Sequence, residues 1–445
     1  MSAKSKFISI ALSGALTFTL SIQVAQAAPT PNPSPTETPI APATCSASAQ
    51  INKPELGKFY AYVVDVNTGH VLLDIRGDET TPSASVLKVL SVSAALSNLA
   101  SDYTAKTTVL TVPKEPGTIV LQGGGDHTLS NMTKGSYTTY AKPARLETLA
   151  SQVLMAWENK VKINKIILDS DFFSGESYNA AWLASDRTNG YISKITALQV
   201  DSDRRNPDQT SKAYDGVRST DPILRTGNLF KAALKGLVAK GVQLVIGDTP
   251  KSAIELTYVS SQPITTWMSH AIGISDNTET EFIARHAAKA AGLPASFASI
   301  QPMVERMLDE LGIGHAGLVM KDASGLAQAD RVTPKLITEL LAKVASGDTA
   351  IAPLETYLPV AGGPGSLVGR FTGKNAVARK YVKGKTGFIP GLYSLAGIID
   401  AQDGSRLAYS MFARTADGKS VGWSTRSALD TLATRFFICG AGLGL

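Results

Sequence analysis

Three short motifs, far apart in the chain and in a fixed order, constrain its fold more than any other feature. They are S-x-x-K at Ser85–Lys88, S-D-N at Ser275–Asn277 and K-T-G at Lys385–Gly387. Each is common by itself, because serine–lysine pairs, helix-capping clusters and strands that end in glycine occur in unrelated proteins. The ordered set is rare. A chain that uses all three together must bring a helix start, a helix entry and a strand end to one place.

The first motif has the composition of a nucleophile and its base. On a helix, a spacing of three places the Ser85 hydroxyl and the Lys88 amine on one face. A free serine is a poor nucleophile, and a neighbouring deprotonated lysine can accept its proton. Backbone N–H groups at a helix start also favour a developing oxyanion. The three motifs in this order are typical of penicillin-binding proteins and class A β-lactamases.

The N-terminal residues predict export. Two lysines precede a mostly apolar stretch over 7–24, and Ala25–Ala27 has the A-x-A pattern of a signal-peptide cleavage site. We therefore expect a signal peptide over 1–27, and an N-terminal membrane anchor is the alternative. Residues 28–44 are rich in Pro and Thr, which predicts an extended linker.

Charge argues against one class of function, and the cysteine content predicts a disulfide. The chain has 445 residues, with 43 Lys plus Arg against 37 Asp plus Glu, and its basic residues form no block, so nucleic-acid binding is not supported. The two cysteines, Cys45 and Cys439, lie near opposite ends of the chain that remains after export. Disulfides persist outside the cytoplasm. We therefore expect these cysteines to be bonded to each other, and two unpaired thiols are the alternative.

Predicted strands and helices fall into two parts separated by a long insert. Strands are predicted at 58–65, 70–76, 380–386, 392–400 and 406–413, and helices at 85–99, 277–291, 299–312, 334–345 and 423–437. Residues 105–261 alternate strand-like stretches with helices predicted at 143–159 and 221–240. The first and last parts hold few strands each. We expect them to close one sheet together, which would bring the chain ends near each other.

Further stretches resemble those of one enzyme family. They are Leu121–Asp126 (LQGGGD), Ile167–Phe172 (ILDSDF), Thr196–Asp201 (TALQVD), Asp322–Leu326 (DASGL) and Leu358–Phe371 (LPVAGGPGSLVGRF). With the three motifs, they make the chain resemble the class C low-molecular-mass penicillin-binding proteins, the D-alanyl-D-alanine carboxypeptidase/endopeptidase family. The resemblance spans roughly residues 50–440.

This resemblance implies an α+β fold, with a penicillin-recognising, serine transpeptidase-like domain whose antiparallel sheet lies between helices. The catalytic domain would comprise 45–104 and 262–445, split by an insert over 105–261 of one or two small, mostly β domains. Asp322–Leu326 would line the cleft edge. Substrates would be peptidoglycan stem peptides that end in D-Ala-D-Ala, and β-lactams would inhibit covalently. The balance between terminal and cross-link cleavage, the third residue of the stem peptide and the oligomeric state stay open.

The resemblance also assigns catalytic roles to five residues. Ser85 would attack the peptide carbonyl and form an acyl-enzyme, with Lys88 as its base. Ser275 would relay a proton to the leaving amine, and Asn277 would orient Lys88 and the substrate amide. Lys385 would supply positive potential to the site.

The rest of the third motif would bind the substrate. Thr386 would hydrogen-bond the terminal carboxylate, Gly387 would let the substrate lie close to the strand, and the N–H groups of Ser85 and Phe388 would form the oxyanion hole. Most relatives have Thr or Ser where this chain has Phe388. Without that hydroxyl we expect modest turnover of small peptides. The alternative is that Phe388 points into the core while Ser366 or an arginine binds the carboxylate.

Two other functions fit parts of the pattern. A class A β-lactamase shares the motifs, but no E-x-x-L-N lies between the first two, and their separation is too long for that compact fold. A catalytically silent wall-binding or scaffolding protein on the same fold is disfavoured because every polar motif group is retained. No metal or other cofactor is expected, since none of the five histidines has a ligand spacing. A Ser-His-Asp hydrolase is disfavoured because G-x-S-x-G is missing.

Overall fold

The structure, a computed structural model, describes residues 45–158, 161–207, 216–347, 349–415 and 421–444. The predicted signal peptide and the Pro/Thr-rich linker up to residue 44 lie outside these residues. In the described part of the chain, no helix has both the length and the apolar character needed to cross a membrane.

Three strands near the C-terminus form an antiparallel sheet, here called the C-terminal sheet. In spatial order they are Arg406–Arg414, Leu392–Asp400 and Val382–Ile389. The N-terminal hairpin, Lys58–Asp65 with Val71–Ile75, lies against the Arg406–Arg414 strand. There the Val66 N–H donates to the Arg406 carbonyl at 2.8 Å. The two ends of the chain therefore meet at this sheet, as predicted.

Alternate residues of the C-terminal sheet enter two different cores. One core, shared with the helix Pro334–Ser346, takes Ala396, Ile398, Ala408 and Phe412. The other core, shared with the helix Trp423–Cys439, takes Leu395, Leu407, Tyr409 and Met411. Since successive strand residues point to opposite faces, this alternation buries both faces of the sheet under helices. The prediction of an antiparallel sheet between helices is confirmed.

A layer of helices lies on the Pro334–Ser346 side of the sheet. Its members are Lys88–Asn98, Ile264–Ile274, Asn277–Ala290, Ile300–Glu310 and Leu354–Tyr357. The helix predicted over 85–99 begins as a 3₁₀ turn, Ala84–Leu87, and becomes α-helical at Lys88. Every residue from Lys88 to Ala95 is buried, so this helix runs through the core.

Residues 106–260 supply a second sheet, here called the insert sheet. In spatial order its five strands are Val238–Ile246, Ile163–Asp169, Thr118–Gly123, Lys106–Thr111 and Ile254–Ser260. Its helices are Leu146–Ala156, Ala184–Thr188 and Pro222–Ala233. The helix predicted over 221–240 begins as expected, but its α-helical part ends at Ala233, and residues 238–240 already belong to the strand Val238–Ile246. Its alternating branched residues pair in parallel with Ile163–Asp169, so sheet pairing overrides the local helical pattern.

The chain ends are joined as the cysteine positions predicted. Cys45–Ser46 pairs in parallel with Leu443–Gly444, and a disulfide joins Cys45 to Cys439 with their Cα atoms 5.3 Å apart. The predicted pairing is therefore confirmed.

Candidate active site

Ser85 lies in a tight 3₁₀ turn at the entrance to the buried helix. The preceding residue, Ala84, has a φ of +46°, a conformation that non-glycine residues rarely adopt. Gly325 holds the turn in place from the other side, because a Cβ at that position would lie 1.9 Å from the Ala84 carbonyl oxygen. The Ser85 hydroxyl is thus carried on a constrained backbone at the wall of a cleft of about 660 Å³.

Lys88 is fully buried and its amine has three oxygen neighbours. Its Nζ lies 2.6 Å from the Ser324 carbonyl oxygen, 2.7 Å from Asn277 Oδ1 and 3.0 Å from Ser85 Oγ. A neutral amine has two N–H groups and one lone pair. The carbonyl and amide oxygens can take the two N–H groups, which leaves the lone pair for the Ser85 hydroxyl. Burial lowers the pKa of Lys88 to about 8, although nearby carboxylates oppose the change.

The loop that touches Lys88 is held by buried acids. The carboxyl oxygens of Glu281 accept the N–H groups of Ala323 and Ser324, and those of Asp322 accept the N–H groups of Ser324, Gly325 and Ala327. Ser324 and Asp322 are fully buried. The expectation that this stretch lines the cleft edge is therefore wrong, since it lies behind Lys88.

The buried acids near Lys88 have raised pKa values. Burial, followed by the charge of Asp322, raises the pKa of Glu281 to about 8 and that of Asp330 to about 10. Both groups are therefore largely protonated at neutral pH. This limits the negative charge that would otherwise keep Lys88 protonated.

The second motif joins the end of one helix to the start of the next. Ser275 follows Ile264–Ile274 in the left-handed conformation, with a φ of +69°. Asp276 then caps Asn277–Ala290 by accepting the Glu279 N–H at 3.0 Å. The motif thus acts as a helix cap through its middle residue, while Ser275 and Asn277 line the cleft.

Asp276 is buried among side chains from the insert, which the sequence did not predict. Its Oδ2 accepts the Tyr140 hydroxyl at 3.1 Å and lies 3.6 Å from the Arg204 guanidinium. Burial by itself raises the pKa of Asp276, but the charges of Arg204 and His270 outweigh it and hold the pKa below its usual value. Side chains from the insert, far from Asp276 in the sequence, thus support the second motif.

The third motif brings Lys385 and Gly387 against the other two. Lys385 Nζ donates to Ser275 Oγ and to the Thr386 carbonyl, both at 2.8 Å. Burial, and then the charge of Lys88, lower the pKa of Lys385 well below its usual value. At Gly387 a Cβ would lie 2.2 Å from Ser394 Oγ and 3.1 Å from the Ser85 nitrogen. A residue without a side chain is therefore required for the strand to approach Ser85.

Phe388 points out of the core. It is 53% exposed and its ring centroid lies 4.8 Å from that of Tyr393, its partner across the strand pair. The alternative that Phe388 enters the core is wrong. In strand alternation Thr386 and Phe388 share a face, and both line the cleft.

One group of side chains has ligand atoms close enough to hold a metal ion. The ligand atoms of His270, Asp276 and Glu279 all lie within 4.8 Å of one another. His270 Nδ1, however, lies 2.6 Å from Glu279 Oε2. Burial lowers the pKa of His270, but the Glu279 carboxylate outweighs burial and raises it to about 9. This group is therefore an ion pair beside the Asp276 cap, and its geometry favours a proton over a metal.

The structure brings all eight predicted site residues to one cleft or directly beneath it. Ser85, Ser275, Asn277, Thr386, Gly387 and Phe388 line the cleft, and the buried amines of Lys88 and Lys385 contact it from below. The arrangement places one serine hydroxyl beside a buried amine and a second serine hydroxyl beside another buried amine. Such a set can transfer an acyl group from an amide to serine and then to water.

The same fold occurs in a solved penicillin-binding protein. The crystal structure of penicillin-binding protein 4 (dacB) from Haemophilus influenzae matches with a TM-score of 0.72 and 18% identity, over 88% of this chain and 98% of that one. A structure of that protein in complex with a β-lactam matches with a TM-score of 0.64 and 19% identity, over the same shares of the two chains. The fold is therefore that of a penicillin-binding protein.

Sequence similarity then defines the family. A family model described as D-Ala-D-Ala carboxypeptidase 3 (S13) matches residues 44–216 and 205–436. The chain is 33% identical over 404 residues to a protein named carboxypeptidase DacB from Mycolicibacterium smegmatis, which covers 90% of this chain and 84% of that protein. It is 24% identical over 427 residues to a D-alanyl-D-alanine carboxypeptidase from Actinomadura sp., over 78% of this chain and 76% of that one. The chain belongs to the S13 family of D-Ala-D-Ala carboxypeptidases, which confirms the resemblance.

Proposed function

We propose that this protein is an exported serine D,D-peptidase that cleaves the terminal D-Ala of peptidoglycan stem peptides through an acyl-enzyme on Ser85. The observation that carries the proposal is the environment of Lys88. Its two fixed acceptors, Asn277 Oδ1 and the Ser324 carbonyl, turn its lone pair towards the nucleophile. A pKa of about 8 leaves a useful fraction of this amine unprotonated at neutral pH.

In the first step, Ser85 Oγ bonds to the carbonyl carbon of the penultimate D-Ala, and Lys88 takes the hydroxyl proton. The Gly387 backbone is close enough to Ser85 for the N–H groups of Ser85 and Phe388 to hold the resulting oxyanion. The C–N bond then breaks. The proton passes from Lys88 through Ser275 to the leaving amine, while Lys385, 2.8 Å from Ser275 Oγ, stabilises that oxygen. Water cleaves the ester and restores Ser85.

The same chemistry makes β-lactams covalent inhibitors, because their strained amide would acylate Ser85 in the same way. The signal-peptide pattern over 1–27 supports an extracytoplasmic location, where the substrate lies. A silent scaffolding protein would not need an amine held beside a serine by two fixed acceptors. The geometry therefore favours an enzyme over that alternative.

Release of D-Ala from a stem peptide that ends in D-Ala-D-Ala tests the proposal. The wild-type protein should release one D-Ala per peptide, and Ser85→Ala should release none above background. Cleavage of a cross-linked peptide dimer, measured by mass spectrometry, would show whether the protein also has endopeptidase activity. A wild-type protein that binds the peptide without cleaving it would favour the scaffolding alternative.

A further inference from the structure

Arg426 is a cation at the cleft whose charge has no counter-ion in contact among the residues that the structure describes. Within the described residues, no carboxylate oxygen lies within 4.0 Å of its guanidinium, which stacks on the Trp423 ring at 3.7 Å. The neighbouring Arg370 is different, because its guanidinium is paired with Asp430 at 3.0 Å. Burial, and then the charge of Arg370, lower the pKa of Arg426, while Asp430 opposes this. The negative charge of an anion at this place would offset both effects.

Arg426 lies on the side of the sheet to which the substrate-binding residues point. Thr386 pairs with Leu395, whose side chain enters the core shared with the helix Trp423–Cys439. Side chains directly opposite each other across a strand pair lie on the same face. Thr386 and Phe388 therefore project towards the side occupied by the helix that carries Arg426. All three residues line one cleft with Ser85.

Two further features concern hydrogen-bond donors in the cleft: position 388 has no hydroxyl, and the hydroxyl of Ser366 is unused by the described part of the chain. Phe388 stands where a hydroxyl would help Thr386 hold a carboxylate, and its ring has no hydrogen-bonding group. Ser366 lines the same cleft, and its Oγ has no hydrogen-bond partner among the described residues. A carboxylate bound here could accept from Thr386, Ser366 and the planar fork of an arginine.

We infer that Arg426 is the specificity-determining residue that binds the free α-carboxylate of the substrate's terminal residue. The inference rests on the proposed function and adds to it the group that selects chain ends with a free acid. In this chain, a permanent positive charge replaces the hydroxyl that Phe388 removes. Substrates with an uncharged terminus gain nothing from Arg426.

The test compares paired ligands that differ by one charge. The first pair is benzylpenicillin and its carboxyl methyl ester, and intact mass measures how fast each acylates the protein. The second pair is an acylated Lys-D-Ala-D-Ala peptide and its C-terminal amide. Their cleavage is measured by the release of D-Ala or D-Ala amide. Arg426→Gln should slow the two acids by roughly tenfold to a hundredfold and leave the ester and amide within about twofold. Arg426→Lys should recover part of the loss. Arg435→Gln, on the same helix but outside the cleft, is the matched control.

Each outcome bears on one claim. The inference is overturned if Arg426→Gln, with the melting temperature of the wild type, reacts with the acids at the wild-type rate. It is also overturned if the variant loses the same factor in rate on the acids and on their uncharged counterparts. If the wild-type protein is neither acylated nor active on any of the four compounds, the proposed function fails, and the inference fails with it. Selective loss on the acids supports the inference, provided that Arg435→Gln shows none.

Discussion

At the scale of single residues, the site depends on two lysines whose amines are buried in the protein. Lys88 and Lys385 are both fully buried, and burial lowers the pKa of each. A fully charged amine could not accept the Ser85 proton, whereas an exposed one would be protonated at neutral pH. Burial therefore converts a common side chain into a base.

The pH dependence of acylation follows from Lys88. Because the reactive form is the neutral amine and its pKa is about 8, the reactive fraction rises with pH through that value. The second-order rate of penicillin acylation should rise roughly tenfold between about pH 7 and about pH 9 and then level off. Stopped-flow or timed mass measurements at constant ionic strength would show this. A rate that is flat or falls over this range would contradict Lys88 as the base.

A second residue-scale prediction concerns Phe388. Since it faces the cleft, Phe388→Thr places a hydroxyl beside Thr386 and should raise kcat/KM for small D-Ala-D-Ala peptides, by up to about tenfold. Penicillin reactivity of the variant shows that its site is intact. An unchanged or lower kcat/KM in such a variant would refute the idea.

At the scale of elements, the second motif depends on the insert. Tyr140 and Arg204 bind the Asp276 carboxylate, and the Tyr191 carbonyl accepts the Asn277 side-chain amide at 3.1 Å. Asp276 fixes the start of its helix and so the places of Ser275 and Asn277. The insert therefore takes part in positioning the catalytic groups.

Removal of the Tyr140 hydroxyl, which also contacts Ser202 and accepts from Arg204, should slow chemistry without unfolding the protein. Tyr140→Phe deletes the hydroxyl that donates to Asp276, and a hydrogen bond to a charged group contributes about 1.5–3 kcal/mol. We expect kcat to fall by roughly tenfold, with a smaller change in KM. Tyr137→Phe, an exposed residue in the same segment, serves as the control. A Tyr140→Phe enzyme with wild-type kcat would show that the contact is not needed.

The elements near the motifs were more predictable than those of the insert. The strand Val382–Ile389 and the helix Asn277–Ala290 follow from local patterns and capping residues. The first residues of the strand Val238–Ile246 do not, because pairing with a distant strand decides their conformation. Likewise the contact of Ser324 with Lys88 joins residues 236 positions apart, and no local pattern encodes it. The resemblance of the DASGL stretch to the family indicated that these residues matter. It did not indicate that they lie behind Lys88.

At the scale of the whole molecule, the first and last described parts of the chain pack against each other. The N-terminal hairpin lies against the C-terminal sheet, and Cys45 is bonded to Cys439. The described residues of the chain form one compact unit. The boundaries 45–104, 105–261 and 262–445 remain our prediction for its division into domains.

The disulfide should stabilise this closed arrangement. It links residues 394 positions apart, and the loop-entropy model gives about 4.7 kcal/mol for a loop of about 100 residues and roughly 6 kcal/mol for one of this length, usually less in practice. The double variant Cys45→Ser, Cys439→Ser should lower the free energy of unfolding by a few kcal/mol and leave penicillin acylation nearly unchanged, because the bond lies outside the cleft. Denaturant unfolding measures the first effect. A variant as stable as the oxidised wild type would contradict this role.

Mapping of the penicillin adduct shows whether a covalent intermediate forms on Ser85. The wild-type protein, incubated with benzylpenicillin, should gain the mass of one inhibitor, and the modified peptide should contain Ser85. The Ser85→Ala protein should gain none. An adduct that maps to another residue, or that persists in Ser85→Ala, would contradict the account.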